Sequence, residues 1–162
     1  MKYLLIVRHA ESPLNFNNYK DFDRPLNNKG NKDAKMMADQ LLKNNVLPDF
    51  IISSGANRAL ATSQIIAEHI DYQKTKIQIN NNIYNSSCDD IMSTIRNVSD
   101  EYDKLMITGH NPTLHLLSQT LSSENIIKFP TCSMFCIKFN IEFWSLLVRG
   151  EKLFMIYPQL FR

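Results

Sequence analysis

Two arginines and two histidines follow apolar segments of the chain and carry groups suited to one kind of chemistry; they are Arg8, His9, Arg58 and His110. Guanidinium groups bind the oxygens of a phosphoryl group in bidentate pairs. A neutral imidazole is a competent nucleophile near neutral pH. Arg8 and His9 alone would also suit a strand that simply ends at the protein surface. Together, the four residues predict a site for a dianionic phosphoryl group, provided that the fold gathers them.

Apolar runs predict the elements that must position these side chains. Continuous short runs are typical of strands covered on both faces, and apolar residues at the helical repeat are typical of helices packed on a sheet. The predicted strands are 3–7, 50–54, 77–79 and 104–109, and the C-terminal runs MFCIKF, FWSLLVRG and KLFMIYP. The predicted helices are 31–44, a segment beginning near residue 56, 89–98 and 112–121.

Strands and helices alternate along most of the chain, which is typical of an α/β fold. We expect a three-layer α/β/α sandwich with a mostly parallel central sheet and an antiparallel edge. The carboxyl ends of parallel strands lie at one edge of such a sheet, where ligands bind. The two arginines and two histidines follow these strand ends and should converge there. The polar segment 11–29 lacks sustained periodicity, and its length predicts a functional loop.

Composition excludes several classes of protein. The 162 residues suit a single domain over 1–162, with 44% hydrophobic and 21% charged residues. No apolar run approaches the roughly 20 residues that span a bilayer, and no secretory signal is evident, so we expect a cytoplasmic protein without a membrane partner. The formal charge of +2 includes no basic block that predicts nucleic-acid binding. Three cysteines without CxxC spacing predict neither disulfides nor a zinc site.

Three motifs in order along the chain carry a family resemblance: VRHAES, SSGANRALATS and ITGHNP. Together they resemble the histidine phosphatase superfamily, which has the phosphoglycerate mutase-like fold. The segments DFDRPLNNKG, PTCSMFCIKF and GEKLFMIYPQLF further resemble the short phosphohistidine phosphatase branch, the SixA type. The resemblance extends over nearly the whole chain.

The resemblance implies a role for each matching residue. His9 matches the nucleophile that is phosphorylated, and Arg8 and Arg58 match the clamp that holds phosphate. His110 matches a second histidine that stabilises charge in the transition state. Further phosphate contacts are implied for Arg24, Ser12 and Asn15. The resemblance implies catalysis without a metal ion or an organic cofactor.

The chain departs from the family pattern at two places. Ala10 follows the nucleophile where glycine is usual. The region that commonly supplies a carboxylic acid to protonate the leaving group holds Asn80, Asn81 and Asn82, and none of these can act as an acid. An alkoxide leaving group needs a proton donor, whereas a phosphorylated imidazole can be protonated beforehand and leave neutral. The missing acid therefore favours phosphohistidine, unless a carboxylate from the loop, Glu11, Asp21 or Asp23, reaches the site.

We therefore predict a phosphatase that acts through a phosphohistidine enzyme intermediate, with a phosphohistidine-bearing protein as the favoured substrate. The segment between Arg58 and His110 is short, leaving little material for a cap over the site, and an open site can admit a side chain of another protein. Two alternatives stay open. One is a phosphomonoesterase of the same fold that acts on a small phosphorylated metabolite. The other is a module that binds phosphoprotein without turnover.

Overall fold

Six strands and four helices form the framework of the protein. The computed structural model describes residues 1–15 and 17–162, and Phe16, part of the predicted loop, lies outside them. The strands are β1 (Lys2–Arg8), β2 (Phe50–Ser53), β3 (Gln78–Ile79), β4 (Lys104–Gly109), β5 (Met134–Phe139) and β6 (Glu151–Ile156). The helices are α1 (Asn28–Asn44), α2 (Asn57–His69), α3 (Cys88–Arg96) and α4 (Thr113–Ser122).

The strands make one sheet in the order β3-β2-β4-β1-β5-β6. The first four strands in this order pair in parallel, and β5 pairs antiparallel with both of its neighbours. The parallel part places the carboxyl ends of β1, β2 and β4 at one edge of the sheet. The predicted α/β architecture, with a mostly parallel central sheet and an antiparallel edge, is confirmed.

Alternate side chains of β1 face two separate cores, which explains its continuous apolar sequence. Leu4 and Ile6 belong to a cluster that includes residues of α3 and α4. Leu5 and Val7 belong to a second cluster that includes residues of α1 and α2. All four side chains are at most 2% exposed, because helices cover both faces of this central strand. A strand held in this way gives the residues that follow it a fixed position.

Local capping interactions set where the helices begin. The side chain of Asn27 accepts the N–H of Gly30, so α1 begins at Asn28, earlier than the predicted residue 31. The loop predicted over 11–29 therefore ends at Asn27. Ser87 and Asp90 form a reciprocal capping box at the start of α3.

The prediction of a strand at FWSLLVRG is wrong. This segment instead contains a short 3-10 turn, Trp144–Leu146. Trp144 is fully buried, and its ring N–H donates to the carbonyl oxygen of Tyr102, while Leu146 and Val148 are exposed. The apolar residues thus reflect a buried tryptophan within a connecting segment, and two strands rather than three close the chain.

Within residues 1–15 and 17–162, the structure holds no helix that is both long and apolar enough to cross a membrane.

Candidate active site

The register of the parallel strands brings the two predicted site histidines together. Arg8 of β1 pairs with Gly109 of β4, so His9 and His110 leave neighbouring strands at the same level. Their ring centroids lie 5.2 Å apart. The connection after β2 leads directly into α2, whose first turn carries Arg58. The Nε of Arg58 lies 3.4 Å from Nε2 of His9.

The hydrogen bonds of His9 define its tautomer. Nδ1 lies 2.7 Å from the carbonyl oxygen of Ala10, and because a carbonyl oxygen only accepts, Nδ1 carries the ring proton. Nε2 of the neutral ring then carries no proton, and its lone pair accepts the N–H of Arg58. Burial, above all, lowers the pKa of His9 to about 3, and the charges of neighbouring groups, including His110 and Arg58, add to this effect. The ring is therefore neutral at pH 7, with Nε2 available as a nucleophile.

His110 is held by a hydrogen bond with the residue that follows β2, the strand next to β4. Its Nε2 lies 2.8 Å from Oγ of Ser54, the residue after β2. Ser54 also accepts the N–H of Ala56 on the same oxygen, so its hydroxyl proton can be donated to His110. Burial, followed by the charge of Arg58, lowers the pKa of His110 to about 4. A neutral His110 then carries its proton on Nδ1, which is buried and has no hydrogen-bond partner within the described residues.

Arg8 adds a second guanidinium group to the cluster, beside that of Arg58. Arg8 donates from Nη1 to the carbonyl oxygen of Phe129, which also accepts from Asn111. The Nε of Arg8 is buried and finds no partner among residues 1–15 and 17–162. Burial and the charge of Arg58 lower the pKa of Arg8. The site therefore concentrates positive charge that a bound anion would stabilise.

The loop after β1 contributes a carboxylate to this cluster. Asp21 begins a 3-10 turn, Asp21–Asp23, and its Oδ2 accepts hydrogen bonds from Arg58 and from the hydroxyl of Tyr84. Its Oδ1 accepts from Nε and Nη2 of Arg24. The hydrogen bond from Tyr84 is the largest of the effects that lower the pKa of Asp21 to about 2. Asp21 is consequently an ionised acceptor at neutral pH.

The other residues implied by the family resemblance lie in the same loop. Arg24 is buried and directs Nη1 to the carbonyl oxygens of Ser12 and Pro13 as well as to the hydroxyl of Ser12. Ser12 donates its own hydroxyl proton to the carbonyl oxygen of Pro25. Asn15 is exposed, and its carbonyl oxygen accepts the N–H of Asn17. Phosphate contacts for Arg24, Ser12 and Asn15 stay predictions.

The remaining carboxylates of the loop are Glu11 and Asp23, and Asp23 is exposed at the end of the 3-10 turn. Glu11 accepts from the side chain of Asn27 and pairs with Lys29, and these hydrogen bonds lower its pKa. Gly30 permits this arrangement, because a Cβ at that position would collide with the backbone of Glu11. Glu11 is thereby tied to the start of α1. Within the residues that the structure describes, no group of three or more His, Cys, Asp or Glu side chains is arranged to hold a metal ion.

Ala10 fits its position without strain. It is fully buried in the core cluster beneath α1 and α2, and it is not among the residues with positive φ in the described chain. Its N–H donates to Oγ1 of Thr62, whose own hydroxyl donates to the carbonyl oxygen of Arg58. Thr62 thus connects the backbone after His9 to the helical turn that carries Arg58.

This connection predicts a stability effect. Thr62→Val keeps the shape of the side chain but leaves the buried N–H of Ala10 without its acceptor, so we expect the free energy of unfolding to fall by about 1–3 kcal/mol. Thr120→Val is the matched control, because exposed Thr120 makes the same hydrogen bond to the carbonyl four residues earlier. We expect a change within about 0.5 kcal/mol there. Urea denaturation measures both, and equal losses in the two variants would contradict this account.

The low pKa of His9 also predicts how stability depends on pH. The pKa of His9 is about 3 in the folded protein, against an ordinary value of 6.5. Between these values the unfolded chain binds a proton at His9 and the folded chain does not, so protonation favours the unfolded state. We expect this histidine to lower the free energy of unfolding by about 2 kcal/mol between pH 6.5 and about 5, and to contribute no pH dependence above that window. Urea titrations of wild type and His9→Ala measure the effect. The account requires a shallower pH dependence in the variant, and identical slopes would contradict it.

A polar groove adjoins the cluster and shares Tyr84 with it. The ring of Tyr84 meets that of His110 edge to face, with centroids 5.4 Å apart. The groove has a volume of about 950 Å³. Its lining next to Tyr84 consists of uncharged amides and hydroxyls, from Asn80, Asn81, Asn82, Asn85 and Ser86. This surface offers uncharged hydrogen-bonding groups directly beside His110.

Sequence reasoning missed the contributions of Ser54, Thr62 and Tyr84. A serine directly after a buried strand and a tyrosine that follows the asparagine run were the available signals for two of them. Thr62 lies within the motif SSGANRALATS, but the motif did not indicate its role, because that role depends on the approach of α2 to the backbone after β1.

Comparisons with known proteins agree with this fold. The sequence profile of the histidine phosphatase superfamily (branch 1) matches residues 4–106. The chain is 24% identical to a protein from Agrobacterium tumefaciens described as a phosphohistidine phosphatase, SixA; the match covers 97% of this chain and 98% of that one, with a TM-score of 0.84. It is 16% identical to the protein histidine phosphatase SixA in a complex with tungstate, covering 99% of each chain with a TM-score of 0.85.

An uncharacterised chloroplastic protein of Arabidopsis thaliana is 28% identical over 138 residues. The match covers 80% of this chain and spans 63% of the length of that relative.

The fold is that of the phosphoglycerate mutase-like class, and it places two histidines and two arginines at the carboxyl edge of a mostly parallel sheet. The chain belongs to the histidine phosphatase superfamily. Its fold is that of the SixA structures.

Proposed function

We propose that the protein is a phosphatase that transfers a phosphoryl group to Nε2 of His9 and then to water, and that its substrate is a phosphohistidine on another protein. The observation that carries this proposal is the hydrogen bond from Nδ1 of His9 to the carbonyl oxygen of Ala10, which leaves Nε2 of the neutral ring unprotonated beside Arg58. In the first step, Nε2 forms a bond to phosphorus as the bond to the leaving nitrogen breaks. In the second step, water attacks phosphorus and His9 leaves as a neutral imidazole.

Charge and unpaired donors support the binding of a phosphoryl group beside His9. Arg8 and Arg58 lie close enough for the charge of Arg58 to lower the pKa of Arg8. The buried Nε of Arg8 and Nδ1 of His110 lack hydrogen-bond partners within the described residues. Buried polar groups are rarely left unpaired, and phosphoryl oxygens would supply acceptors for both. Arg8, Arg58 and His110 thus bind and stabilise the transferring group in this proposal.

The protonation state of the site supports phosphohistidine as the leaving group. Asp21 is the carboxylate that contacts Arg58, and its pKa of about 2 leaves it without a proton to donate near neutral pH. Glu11 is tied to Asn27 and Lys29. An alkyl phosphate needs a proton donor at its leaving oxygen, whereas phosphohistidine can be protonated on the leaving ring before the bond breaks.

The short segment between α2 and β4 supports a protein substrate. Between α2 and β4 the chain forms β3, α3 and two short 3-10 turns, and these elements belong to the sheet and its covering layer. The polar groove beside Tyr84 extends from the site along this side of the molecule. A histidine presented on another protein would reach His9 without passing a cap inserted between α2 and β4.

A leaving-group series tests the proposal. Purified protein is assayed with a phosphohistidine-bearing protein, phosphoramidate, an aryl phosphate and phosphoserine. We expect kcat/KM to be highest for phosphohistidine and lowest for phosphoserine, whose alkoxide leaves with the most difficulty.

Two results would contradict the proposal in different ways. Equal turnover of phosphoserine and phosphohistidine would show that a proton donor operates, and would favour a phosphomonoesterase that acts on small metabolites. Saturable binding of the phosphohistidine protein without release of phosphate would favour a binding module.

A further inference from the structure

Asp21 occupies hydrogen-bonding positions that a phosphoryl group on His9 would use. Arg58 presents two edges of its planar guanidinium, and Nε and Nη2 lie along one of them. On that edge, Nε contacts Nε2 of His9 at 3.4 Å, and Nη2 donates to Oδ2 of Asp21 at 3.1 Å. A phosphoryl group bonded to Nε2 of His9 would present two oxygens to this same edge. One of these oxygens would therefore compete with the carboxylate of Asp21 for the hydrogen bond from Nη2 of Arg58.

We propose that Asp21 is an internal anion that fills part of the guanidinium clamp in the free protein and is displaced from Arg58 by the incoming phosphoryl group. The inference rests on the proposed function, because it takes His9 and Arg58 as the place where phosphate binds. It adds a residue that sets the affinity for phosphate, and it assigns that residue the opposite effect from a conventional ligand-binding group.

The contacts of Asp21 make the displacement physically reasonable. The carboxylate is 52% exposed, and Asp21 lies in the loop between β1 and α1 outside any regular helix or strand. Its Oδ1 pairs with Nε and Nη2 of Arg24 at 3.1 and 3.0 Å. Asp21 can thus leave Arg58 while it keeps a cationic partner and access to water, so the displaced carboxylate is not left buried and unpaired.

The same contacts imply that the displacement of Asp21 from Arg58 lowers the affinity of the site for phosphate. A phosphate dianion must take a charge-assisted hydrogen bond away from Asp21, and it must also approach a second negative charge on the same guanidinium. Both effects weaken the binding of phosphate as substrate group and as product. Weak binding of the product favours its release after hydrolysis of the phosphorylated His9.

A different role for Asp21 makes the opposite prediction. Asp21 also accepts Nη1 of Arg58 through its carbonyl oxygen at 2.7 Å, so the loop could serve to hold the guanidinium in place for phosphate. Removal of the carboxylate charge would then loosen Arg58 and weaken phosphate binding. The two roles are separated by the direction of a single affinity change.

The test is direct binding of inorganic phosphate, measured by calorimetry on wild type, Asp21→Asn, Asp21→Ala and Asp23→Asn. Asp23→Asn is the matched control, because Asp23 is an exposed carboxylate in the same 3-10 turn. We expect phosphate to bind Asp21→Asn and Asp21→Ala about tenfold more tightly than wild type, and the control to bind as wild type does. The inhibition constant of phosphate during turnover should fall in parallel.

Each other result overturns the inference. If wild type binds phosphate and the two Asp21 variants bind it equally or more weakly, Asp21 does not compete for the clamp, and the proposed function stands without it. If Asp23→Asn tightens binding as much as Asp21→Asn, general surface charge accounts for the gain. If neither wild type nor the Asp21 variants bind phosphate, both the inference and the proposed function fail.

Discussion

His9→Ala is expected to lower kcat for a phosphohistidine-bearing protein by about a thousandfold or more, because it removes the atom that forms the bond to phosphorus. Nε2 of His9 is placed for this task by the Nδ1 hydrogen bond to Ala10 and by the contact with Arg58. Steady-state release of phosphate measures the loss. The substitution leaves Arg8 and Arg58 in place, so binding of the phosphorylated substrate should decline much less than turnover.

His69→Ala is the matched control for this substitution. His69 lies at the end of α2 and contacts the carbonyl oxygen of Ile65 within its own helix, so its removal should leave kcat near the wild-type value. Retention of substantial turnover in His9→Ala would contradict the role of His9 as nucleophile. Equal losses in both variants would point to a general effect on folding, which thermal unfolding of each variant would reveal.

Arg58→Lys is expected to lower kcat/KM by about a hundredfold to a thousandfold while keeping a positive charge at the site. A lysine ammonium cannot reproduce the planar edge from which Nε of Arg58 contacts His9 and Nη2 donates to Asp21, and which binds the phosphoryl oxygens in the proposed reaction. The loss should appear in kcat as well as in KM, because the guanidinium has to hold the equatorial oxygens of the phosphoryl group in position while the group moves to Nε2 of His9.

Arg96→Lys provides the comparison for this charge-conserving change. Arg96 lies at the end of α3 and donates to the carbonyl oxygen of Leu147, so its replacement should leave the kinetic constants near those of wild type. If Arg58→Lys retained wild-type kcat/KM, bidentate contact by this guanidinium would not be part of the chemistry.

The convergence of the two histidines could be predicted from the sequence because it follows from strand order and strand ends. Both histidines come directly after buried strands, and parallel pairing of Arg8 with Gly109 places the residues that follow side by side. The continuous apolar run that is buried between two cores in β1 is also visible in the sequence. The apolar runs and the helical repeats therefore predict the framework and, through it, the position of His9 and His110.

The arrangement of the loop could not be predicted in the same way. The segment between β1 and α1 has no periodic burial, so its residues are placed by individual hydrogen bonds rather than by a repeat. Asp21 reaches Arg58 and Tyr84, residues remote in sequence, and Arg24 turns to Asp21 and Ser12. These contacts depend on the three-dimensional approach of separate segments.

The wrong strand at FWSLLVRG has a related cause. Apolar content indicates burial but not the backbone that achieves it, and Trp144 is buried from a 3-10 turn because its ring and backbone N–H groups find acceptors in the segment before β4. Leu146 and Val148 are exposed, so the run as a whole lacks the burial of a central strand.

The most direct test of the central claim is to identify the phosphorylated atom of the enzyme during turnover. The protein is mixed rapidly with phosphohistidine substrate, quenched under alkaline conditions that preserve phosphohistidine, and analysed by peptide mapping and by nuclear magnetic resonance of the phosphorylated ring. The account predicts a transient phosphoryl group on Nε2 of His9, because Nδ1 is occupied by its hydrogen bond to Ala10. A phosphoryl group on another residue, or turnover with no phosphorylated enzyme at any time, would contradict it.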